Sequence, residues 1–331
     1  MATADEHSTR LQAVAERALD EWDLEVTELK LVSASENTVF RVTTEGERAY
    51  ALRVHRPGYH TLAELNSELQ WTAALNGSGV RTPKPLLTRK GRGYATVPFP
   101  HSSETRHVGM VEWIDGVPLA RVIDQATDEE TVAQRFVQLG RIAARIHNQA
   151  VEWRLPDDFE RHAFDADGLM GDAPFWGPFW DLPQLKRAHR KQILVARSTI
   201  AALLTDYGKE HGTYSLIHAD LHPHNLLVDG EDLYVIDFDD AGFGWHQYEL
   251  AVALFSYQGE ARFDTIRDAL ITGYRSERAI DDHALELLPM FLLIRALVLL
   301  GWIHHRPELD RSEFLPRLIA LACAQAEELR I

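Results

Sequence analysis

Residues 216–240 constrain the fold of this 331-residue chain more than any other segment. Two short apolar runs flank an Asp-Gly pair there, a pattern that predicts two strands joined by a tight turn. Asn225 precedes the first strand and Asp237 follows the second. Because residues equally distant from a hairpin turn lie opposite each other, we expect these two side chains to meet, with Asp220 in the loop just before them.

These three side chains offer carboxylate and amide oxygens, the ligands that Mg²⁺ prefers when it also holds phosphates. A free carboxylate beside them can accept a proton from a hydroxyl group and orient that oxygen. The spacing Asp220-x-x-x-x-Asn225, followed by Asp237-Phe238-Asp239, is that of a kinase catalytic loop and the metal-binding segment after it. The pattern therefore predicts phosphoryl transfer to a hydroxyl.

A predicted strand at residues 49–54 supports this prediction independently. Its alternation puts Ala51 and Arg53 on one face. A small residue followed two positions later by a cation is typical of the kinase strand that covers adenine and contacts the α- and β-phosphates. Glu68 falls in the next predicted helix, where it is the natural ion partner to hold Arg53 in place.

The periodicities divide the chain into a strand-rich first part and a helical second part, an α+β pattern. In the first part, a helix with capping-box spacing begins at Thr61 and ends near Gly77. The second part is helical apart from the hairpin and a loop rich in Gly, Pro, Trp and Phe at residues 163–183. We expect residues 1–113 to form a nucleotide-binding lobe, and residues 114–331 to form a helical lobe with the catalytic loop and acceptor site.

Charge and composition exclude several classes of protein. The 34 Lys and Arg against 50 Asp and Glu argue against a protein that coats nucleic acid, because affinity for phosphate backbones comes from cations. The lone Cys323 cannot form an internal disulfide, which favours a reducing cytoplasm. The most apolar stretch, residues 289–303, is shorter than the ~20 residues of a membrane span and contains Arg295, so we expect a buried helix.

On these residues the sequence resembles the aminoglycoside phosphotransferase and choline kinase-like superfamily. Within it, the sequence looks closest to stress-response kinases and homoserine kinase-like phosphotransferases. The resemblance extends from about residue 31 to 302 and is carried by His218-x-Asp220-x-x-x-x-Asn225 and Asp237-Phe238-Asp239. It implies a bilobal protein-kinase-like fold, with a small antiparallel-sheet lobe containing one key helix and a larger, mainly helical lobe. It also implies ATP and Mg²⁺ as cofactors and a small-molecule hydroxyl as acceptor.

The resemblance further implies a role for each motif residue. Asp220 would be the catalytic base, while Asn225 and Asp237 would hold the metal. The nucleotide would be bound at a covering turn, a strand, a helix and a hinge, at Ser35, Asn37, Ala51, Arg53, Glu68, Met110, Glu112 and Trp113. Arg53 replaces the usual lysine, and a guanidinium keeps the charge but is bulkier and less mobile. Asp239 replaces the glycine of Asp-Phe-Gly.

The identity of the acceptor depends on residues outside this motif set. Asp239, Asp240 and Glu249 would make the acceptor site acidic and favour an amine-bearing molecule such as an amino alcohol or an aminoglycoside, although such acids are also common on solvated loops. Arg295 interrupts an apolar helix, where an unpaired buried charge is costly. It would contact a substrate carboxylate, as homoserine supplies, or pair with a structural acid.

Three other functions stay open on the sequence. A protein Ser/Thr kinase of the stress-response type would use the same motifs. The alternation of His218, Asp220, His222 and His224 is compatible with a zinc-dependent hydrolase, but that interpretation leaves Arg53 unexplained. Arg53 in place of lysine is also compatible with a non-catalytic pseudokinase. The choice between ATP and GTP and the oligomeric state stay open.

Overall fold

A computed structural model describes residues 4–34, 37–306, 311 and 313–329, which form two compact units. Unit 1 is the chain up to Val117 together with Arg154–Glu160 and Leu227–Ile236. Unit 2 is Pro118–Trp153, Arg161–Leu226 and the chain from Asp237 onward. Unit 1 carries an antiparallel sheet and unit 2 is mainly helical, which confirms the predicted α+β class. The lobe limits 1–113 and 114–331 stay a prediction.

Unit 1 is built on an antiparallel five-stranded sheet in the order β1-β2-β3-β5-β4. Its elements are α1 (Ala4–Leu19), β1 (Val26–Ala34), β2 (Thr38–Thr44), β3 (Ala49–Val54), α2 (Leu62–Gly77), β4 (Tyr94–Pro98) and β5 (Thr105–Glu112). Burial alternates along β2 and β3, as expected for strands with one face on a core. Phe40 and Leu52 lie on that inner face and pack in one core with Val14 of α1.

Helix α2 begins as its sequence predicts and thereby fixes the position of Glu68. The Thr61 hydroxyl accepts a hydrogen bond from the Glu64 amide at 3.1 Å, and the Glu64 carboxylate accepts one from the Thr61 amide at 2.8 Å. This reciprocal capping box satisfies two amides at the helix start. Glu68 lies one turn after Glu64 and is buried, like Leu65 and Trp71 of the same helix.

The predicted hairpin is present. It consists of β9 (Leu226–Asp229) and β10 (Asp232–Val235), and β9 also pairs with the short strand β6 (Val117–Pro118). The hairpin is anchored in unit 1, where the Val235 amide donates to the Arg81 carbonyl at 2.9 Å and Arg81 pairs with Asp232 at 2.9 Å. Asn225 and Asp237 flank its two ends and belong to unit 2.

Unit 2 is mainly helical. Its elements are α3 (Leu119–Gln125), α4 (Glu129–Glu152), β7 (Ala163–Phe164), α5 (Ala166–Met170), α6 (Arg187–Tyr207), β8 (Tyr214–Ile217), β11 (Gly242–Trp245), α7 (His246–Leu254), α8 (Phe263–Arg275), α9 (Asp282–Glu286), α10 (Leu288–His304) and α11 (Phe314–Glu328). Helices α4 and α8 approach closely through two glycines. A Cβ on Gly140 would lie 2.0 Å from the Leu270 carbonyl oxygen, and one on Gly273 would lie 2.0 Å from that of Val137.

Unit 2 also contains a small sheet that the sequence did not indicate, in the order β7-β11-β8. The predicted loop at residues 163–183 is therefore wrong at its start, because it contains β7 and α5. Strand β7 has two residues, and its partner β11 begins at Gly242. A pattern of two residues is too short to show a period, and so distant a partner gives no local signal.

Helix α10 is a core helix, as predicted for residues 289–303. Most of its residues are buried, including Arg295. The stretch Asp282–His304 is long and apolar enough to cross a membrane by composition, but 72% of its most apolar window is buried inside the protein. Burial of this extent is what the central helix of a globular unit requires.

Candidate active site

The Asp220 carboxylate is the centre of a hydrogen-bonded cluster in unit 2. Its Oδ1 accepts from Nη2 of Arg295 at 2.5 Å, and its Oδ2 accepts from Nδ2 of Asn225 at 2.9 Å. Nε2 of His222 lies 3.2 Å from the same Oδ2. The amide of His224 donates to Nδ1 of His222, so the ring proton is on Nε2 and points at Asp220. Three donors from three positions thus hold one carboxylate.

These donors determine the ionisation of Asp220. Burial raises the pKa of its carboxyl, but its interactions with His222, whose ring N–H points at it, and with the Arg295 guanidinium lower it by more. The pKa therefore lies below its ordinary value, and the group is a carboxylate at neutral pH. About a fifth of the side-chain surface, 22%, is exposed, so another molecule can reach it.

Glu249 of α7 binds the backbone just before Asp220. The Glu249 carboxyl accepts from the amides of His218 at 2.9 Å and Ala219 at 2.7 Å. Ala219 has a φ of 63°, a conformation that costs a non-glycine residue energy and persists only where neighbours fix it. Burial raises the pKa of Glu249 from 4.5 to about 8, against the lowering effect of those two amides.

The predicted role of Glu249 in an acidic acceptor site is wrong, because its side chain is fully buried and binds the amides of His218 and Ala219. Asp239 is also buried, at 5% exposure, whereas Asp240 is half-buried. Arg295 pairs with the predicted base itself rather than with an acid remote from the chemistry. Burial lowers the pKa of Arg295, but Tyr248 and Asp220 outweigh it and raise the pKa overall, so the guanidinium stays charged.

Asn225 and Asp237 offer a donor set that fits a divalent cation. The Asn225 amide nitrogen donates to the Asp220 backbone oxygen and to Oδ2, both at 2.9 Å, so its amide oxygen is the atom left to bind a cation. Asp237 stands at the other end of the hairpin, with left-handed φ 65° and ψ 63°. A carboxylate and an amide oxygen are hard ligands, and they suit Mg²⁺ or Ca²⁺ rather than a thiophilic metal.

In unit 1 the predicted Arg53–Glu68 pair is present. Nη1 of Arg53 lies 3.8 Å from Oε1 of Glu68, with 22% and 11% of the two side chains exposed. Ala51 lies on the same strand, opposite Val111 of β5. The strand β3 and the helix α2 therefore bring together the cation and the acid that the sequence singled out.

The predicted hinge at Met110, Glu112 and Trp113 lies at the end of β5. Met110 is buried and its carbonyl accepts from the Leu86 amide at 2.8 Å. The amide of Glu112 donates to the Lys84 carbonyl at 2.8 Å, and that of Trp113 donates to the Ala49 carbonyl at 3.1 Å. These two amides are therefore committed within unit 1, and an adenine edge would have to pair elsewhere along this segment.

Two other predicted nucleotide-binding residues, Ser35 and Asn37, follow β1 in the sequence. Asn37 is buried, and its side-chain oxygen accepts from the Arg56 amide at 3.0 Å. That bond ties the residue before β2 to the chain after β3. Ser35 lies outside the described residues.

Two residues that sequence reasoning did not single out contact the segment after Asp237. Arg161 donates to the backbone oxygens of Phe238, Asp239 and Ala241, and Nε2 of His162 lies 3.2 Å from that of Asp240. Since these partners are about 80 positions apart in sequence and the acceptors are carbonyls, no local pattern marks either side chain.

Comparison with known proteins agrees with this geometry. Residues 28–288 match the model of the phosphotransferase enzyme family. The chain belongs to this family. The predicted resemblance is thus confirmed, and the protein is a phosphotransferase whose acceptor group is an alcohol. Membership also disfavours the zinc hydrolase, since a kinase-type site accounts for the motif without zinc.

Two solved structures and one sequence relative show what this phosphotransferase is similar to. A microcompartment-associated aminopropanol kinase superposes with a TM-score of 0.79 at 32% identity, covering 96% of this chain and 95% of that one. An amicoumacin kinase in complex with AMP-PNP, Ca²⁺ and Ami gives 0.78 at 20%, covering 99% and 96%. Amicoumacin kinase of Bacillus subtilis is 22% identical over 295 residues, 86% of this chain and 82% of the relative. The structural neighbours confirm the predicted protein-kinase-like fold.

Proposed function

We propose that this phosphotransferase moves the γ-phosphate of ATP to the hydroxyl of a small amino alcohol in the cytoplasm, with Asp220 as catalytic base and Mg²⁺ as cofactor. The observation that carries the proposal is the ionised, partly exposed Asp220 carboxylate held by three donors. Such a carboxylate can orient a hydroxyl and accept its proton as the oxygen attacks phosphorus.

The hydrogen bonds around Asp220 indicate where the acceptor hydroxyl binds. Each carboxylate oxygen has about two lone-pair positions. Oδ2 already accepts from Asn225 and His222, whereas Oδ1 accepts from Arg295. The hydroxyl would therefore donate to Oδ1, next to the Arg295 guanidinium.

Asn225 and Asp237 would hold Mg²⁺. When bound, the ion supplies positive charge to the phosphates. The chain's contribution is orientation: the two bonds from the Asn225 amide nitrogen to Asp220 fix which way its oxygen points. Arg53, positioned by Glu68, would bind the phosphates of the nucleotide.

The charges near Asp220 favour an ammonium group on the acceptor over a carboxylate. Arg295 is matched by Asp220, and Asp240 is a further half-buried acid whose charge acts on Arg295. A second anion placed beside these carboxylates would be repelled, while an amine would be attracted. A structural neighbour at 32% identity is an aminopropanol kinase, and aminopropanol is an amino alcohol, which supports the same class of acceptor.

An acceptor screen with matched pairs tests the proposal. 1-Aminopropan-2-ol and L-threonine differ by one carboxylate, as do 3-aminopropan-1-ol and L-homoserine. We expect kcat/KM to be higher for the amino alcohol of each pair, measured as ATP consumption. Higher values for the amino acids would contradict the acceptor class, and phosphorylation of a generic protein substrate alone would favour the protein kinase alternative.

Calorimetry tests the cofactors separately. We expect Mg²⁺ to tighten the binding of ATP. A folded sample with no Mg²⁺-dependent ATP binding would contradict phosphotransfer from ATP and favour the pseudokinase.

A further inference from the structure

The turn after Asp237 is held at every carbonyl by two residues from a distant loop. Nε of Arg161 donates to the Ala241 oxygen at 2.6 Å, and its Nη2 donates to the oxygens of Phe238 at 2.6 Å and Asp239 at 3.0 Å. Nε2 of His162 lies 3.2 Å from the Asp240 oxygen. Because a carbonyl only accepts, Nε2 of His162 carries the ring proton. Four consecutive backbone oxygens, 238–241, therefore each receive a side-chain donor.

The chain that carries these two side chains is itself fixed to the far end of the same segment. The Phe243 amide donates to the His162 carbonyl at 3.0 Å, and β7 then pairs with β11 in parallel. The His162 ring stacks on Phe175 with centroids 3.7 Å apart. A Cβ on Gly242 would lie 2.8 Å from that ring, so this position needs a glycine for the ring to reach the turn.

The turn needs this support because of the residue before it. Asp237 has φ 65° and ψ 63°, a left-handed conformation that is unfavourable for a non-glycine residue. Such a conformation persists where the surroundings over-determine it. Residues 238–240 form one short helical turn, closed by a 3.0 Å bond from the Ala241 amide to the Phe238 oxygen.

We infer that Arg161, with His162, is a positioning residue for the metal site: it fixes the turn 238–241 and thereby aims the Asp237 carboxylate. The inference rests on the proposed function, in which Asp237 is a metal ligand. Arg161 suits this task because the rigid guanidinium fork presents several donors at once, which a lysine ammonium on a flexible stem does not. Its donors reach three oxygens of the turn.

The test measures metal binding directly. Mn²⁺ is titrated into the protein in the presence of ADP, and the electron paramagnetic resonance signal reports the concentration of free Mn²⁺. We expect Arg161→Met to weaken Mn²⁺ binding about 10-fold or more, the range found when groups that orient metal ligands are removed. Arg161→Lys keeps a cation that can reach one carbonyl, so we expect an intermediate loss. His162→Phe keeps the ring stack and removes one donor, and we expect the smallest loss of the three.

Arg197 provides a matched control in unit 2. Its Nε also donates to a backbone oxygen at 2.6 Å, that of Met170, and its Nη2 binds Asp172. Arg197→Met therefore removes comparable bonds, neither of which goes to residues 238–241, and we expect Mn²⁺ affinity to stay within about 2-fold of wild type. Metal-free ADP binding, measured by calorimetry, should be unchanged in all four variants.

Several outcomes would overturn the inference. The inference is wrong if Arg161→Met folds and binds Mn²⁺ as tightly as the wild type. It is also wrong if Arg197→Met loses as much Mn²⁺ affinity as Arg161→Met. If Arg161→Met does not fold, Arg161→Lys decides by the same criterion. Asp237→Ala separates this inference from the proposed function. If this variant binds Mn²⁺ as the wild type does, Asp237 is not a metal ligand and the proposed metal site is wrong. If Asp237→Ala loses Mn²⁺ affinity but the Arg161 variants keep it, only the positioning role of Arg161 is wrong.

Discussion

Two arginine–carboxylate pairs, one in each unit, differ in how tightly they are held. Nη2 of Arg295 lies 2.5 Å from Asp220, and 10% of the arginine side chain is exposed. Nη1 of Arg53 lies 3.8 Å from Glu68, and 22% of that side chain is exposed. Ion pairs strengthen with proximity and with removal from water. The first pair is therefore built to stay fixed, and the second is loose enough for its arginine to turn towards another anion.

The difference matches the work that each pair is proposed to do. A general base must be ionised and correctly oriented when the acceptor hydroxyl binds, and Arg295 favours both for Asp220. A phosphate-binding cation must exchange partners each time a nucleotide arrives or leaves. A loose pair costs little to open, because a partly exposed ion pair is worth about 1 kcal/mol or less. The predictions below start with the tight pair.

The largest effect is expected when the proposed base itself is changed. Asp220→Asn keeps the shape of the side chain but cannot accept a proton, so we expect kcat to fall about 10³-fold, within the range for general base catalysis. ATP binding, measured by calorimetry, should change little. An Asp220→Asn enzyme with wild-type kcat would remove Asp220 from catalysis and make the tight pair purely structural.

The next effect is expected from Arg295. Arg295→Met leaves a partly buried carboxylate without its cation, so we expect a loss of stability of about 3 kcal/mol in urea denaturation. We also expect kcat to fall about 10²-fold, because the base is no longer aimed. Since Arg295 lowers the pKa of Asp220, its removal raises that pKa, and the acid limb of the kcat/KM profile should move to higher pH.

A double variant checks that Arg295 acts through Asp220. Arg295→Met added to Asp220→Asn should lower kcat little further, because the group that Arg295 aims is already inactive. Full additivity of the two losses would mean that Arg295 acts independently, for example on the acceptor itself.

A smaller effect concerns Glu249, which supports the tight pair from the backbone side. Its folded pKa is about 8, above its ordinary 4.5, so the folded state binds more protons than the unfolded state between these values. Stability should therefore fall as the pH rises from about 5 to 8. Glu249→Gln, which does not titrate, should lack this contribution, so its stability relative to wild type should improve as the pH rises. Parallel urea-denaturation profiles for the two proteins would contradict the burial of an ionisable Glu249.

The sequence predicted those parts of the molecule whose signal is local. The capping box at Thr61, the strand limits 49–54 and the hairpin between Asn225 and Asp237 each depend on neighbours within a few residues. The Arg53–Glu68 pair was also predictable, because strand and helix periodicity fix which face each residue lies on.

What the sequence did not predict depends on contacts between distant segments. Arg161 and His162 act on carbonyls, which every residue carries, so nothing in residues 238–241 marks them as acceptors. Glu249 looked like a surface acid because charged residues are usually exposed, and only the fold brings it to the amides of His218 and Ala219. The partner of Arg295 lies 75 positions away and was equally hidden.

The smallest effect is expected at the loose pair. Arg53→Lys restores the lysine usual at this position, and because the 3.8 Å contact with Glu68 makes no close fork, a lysine ammonium can replace it. We expect KM for ATP to change by about 3-fold or less, with Arg53→Met raising it about 10-fold through loss of one charge-assisted phosphate contact. Stability should change by less than about 1 kcal/mol in both. If Arg53→Lys were instead as damaging as Arg53→Met, the guanidinium fork would be required, and the second pair would resemble the first in function despite its looser geometry.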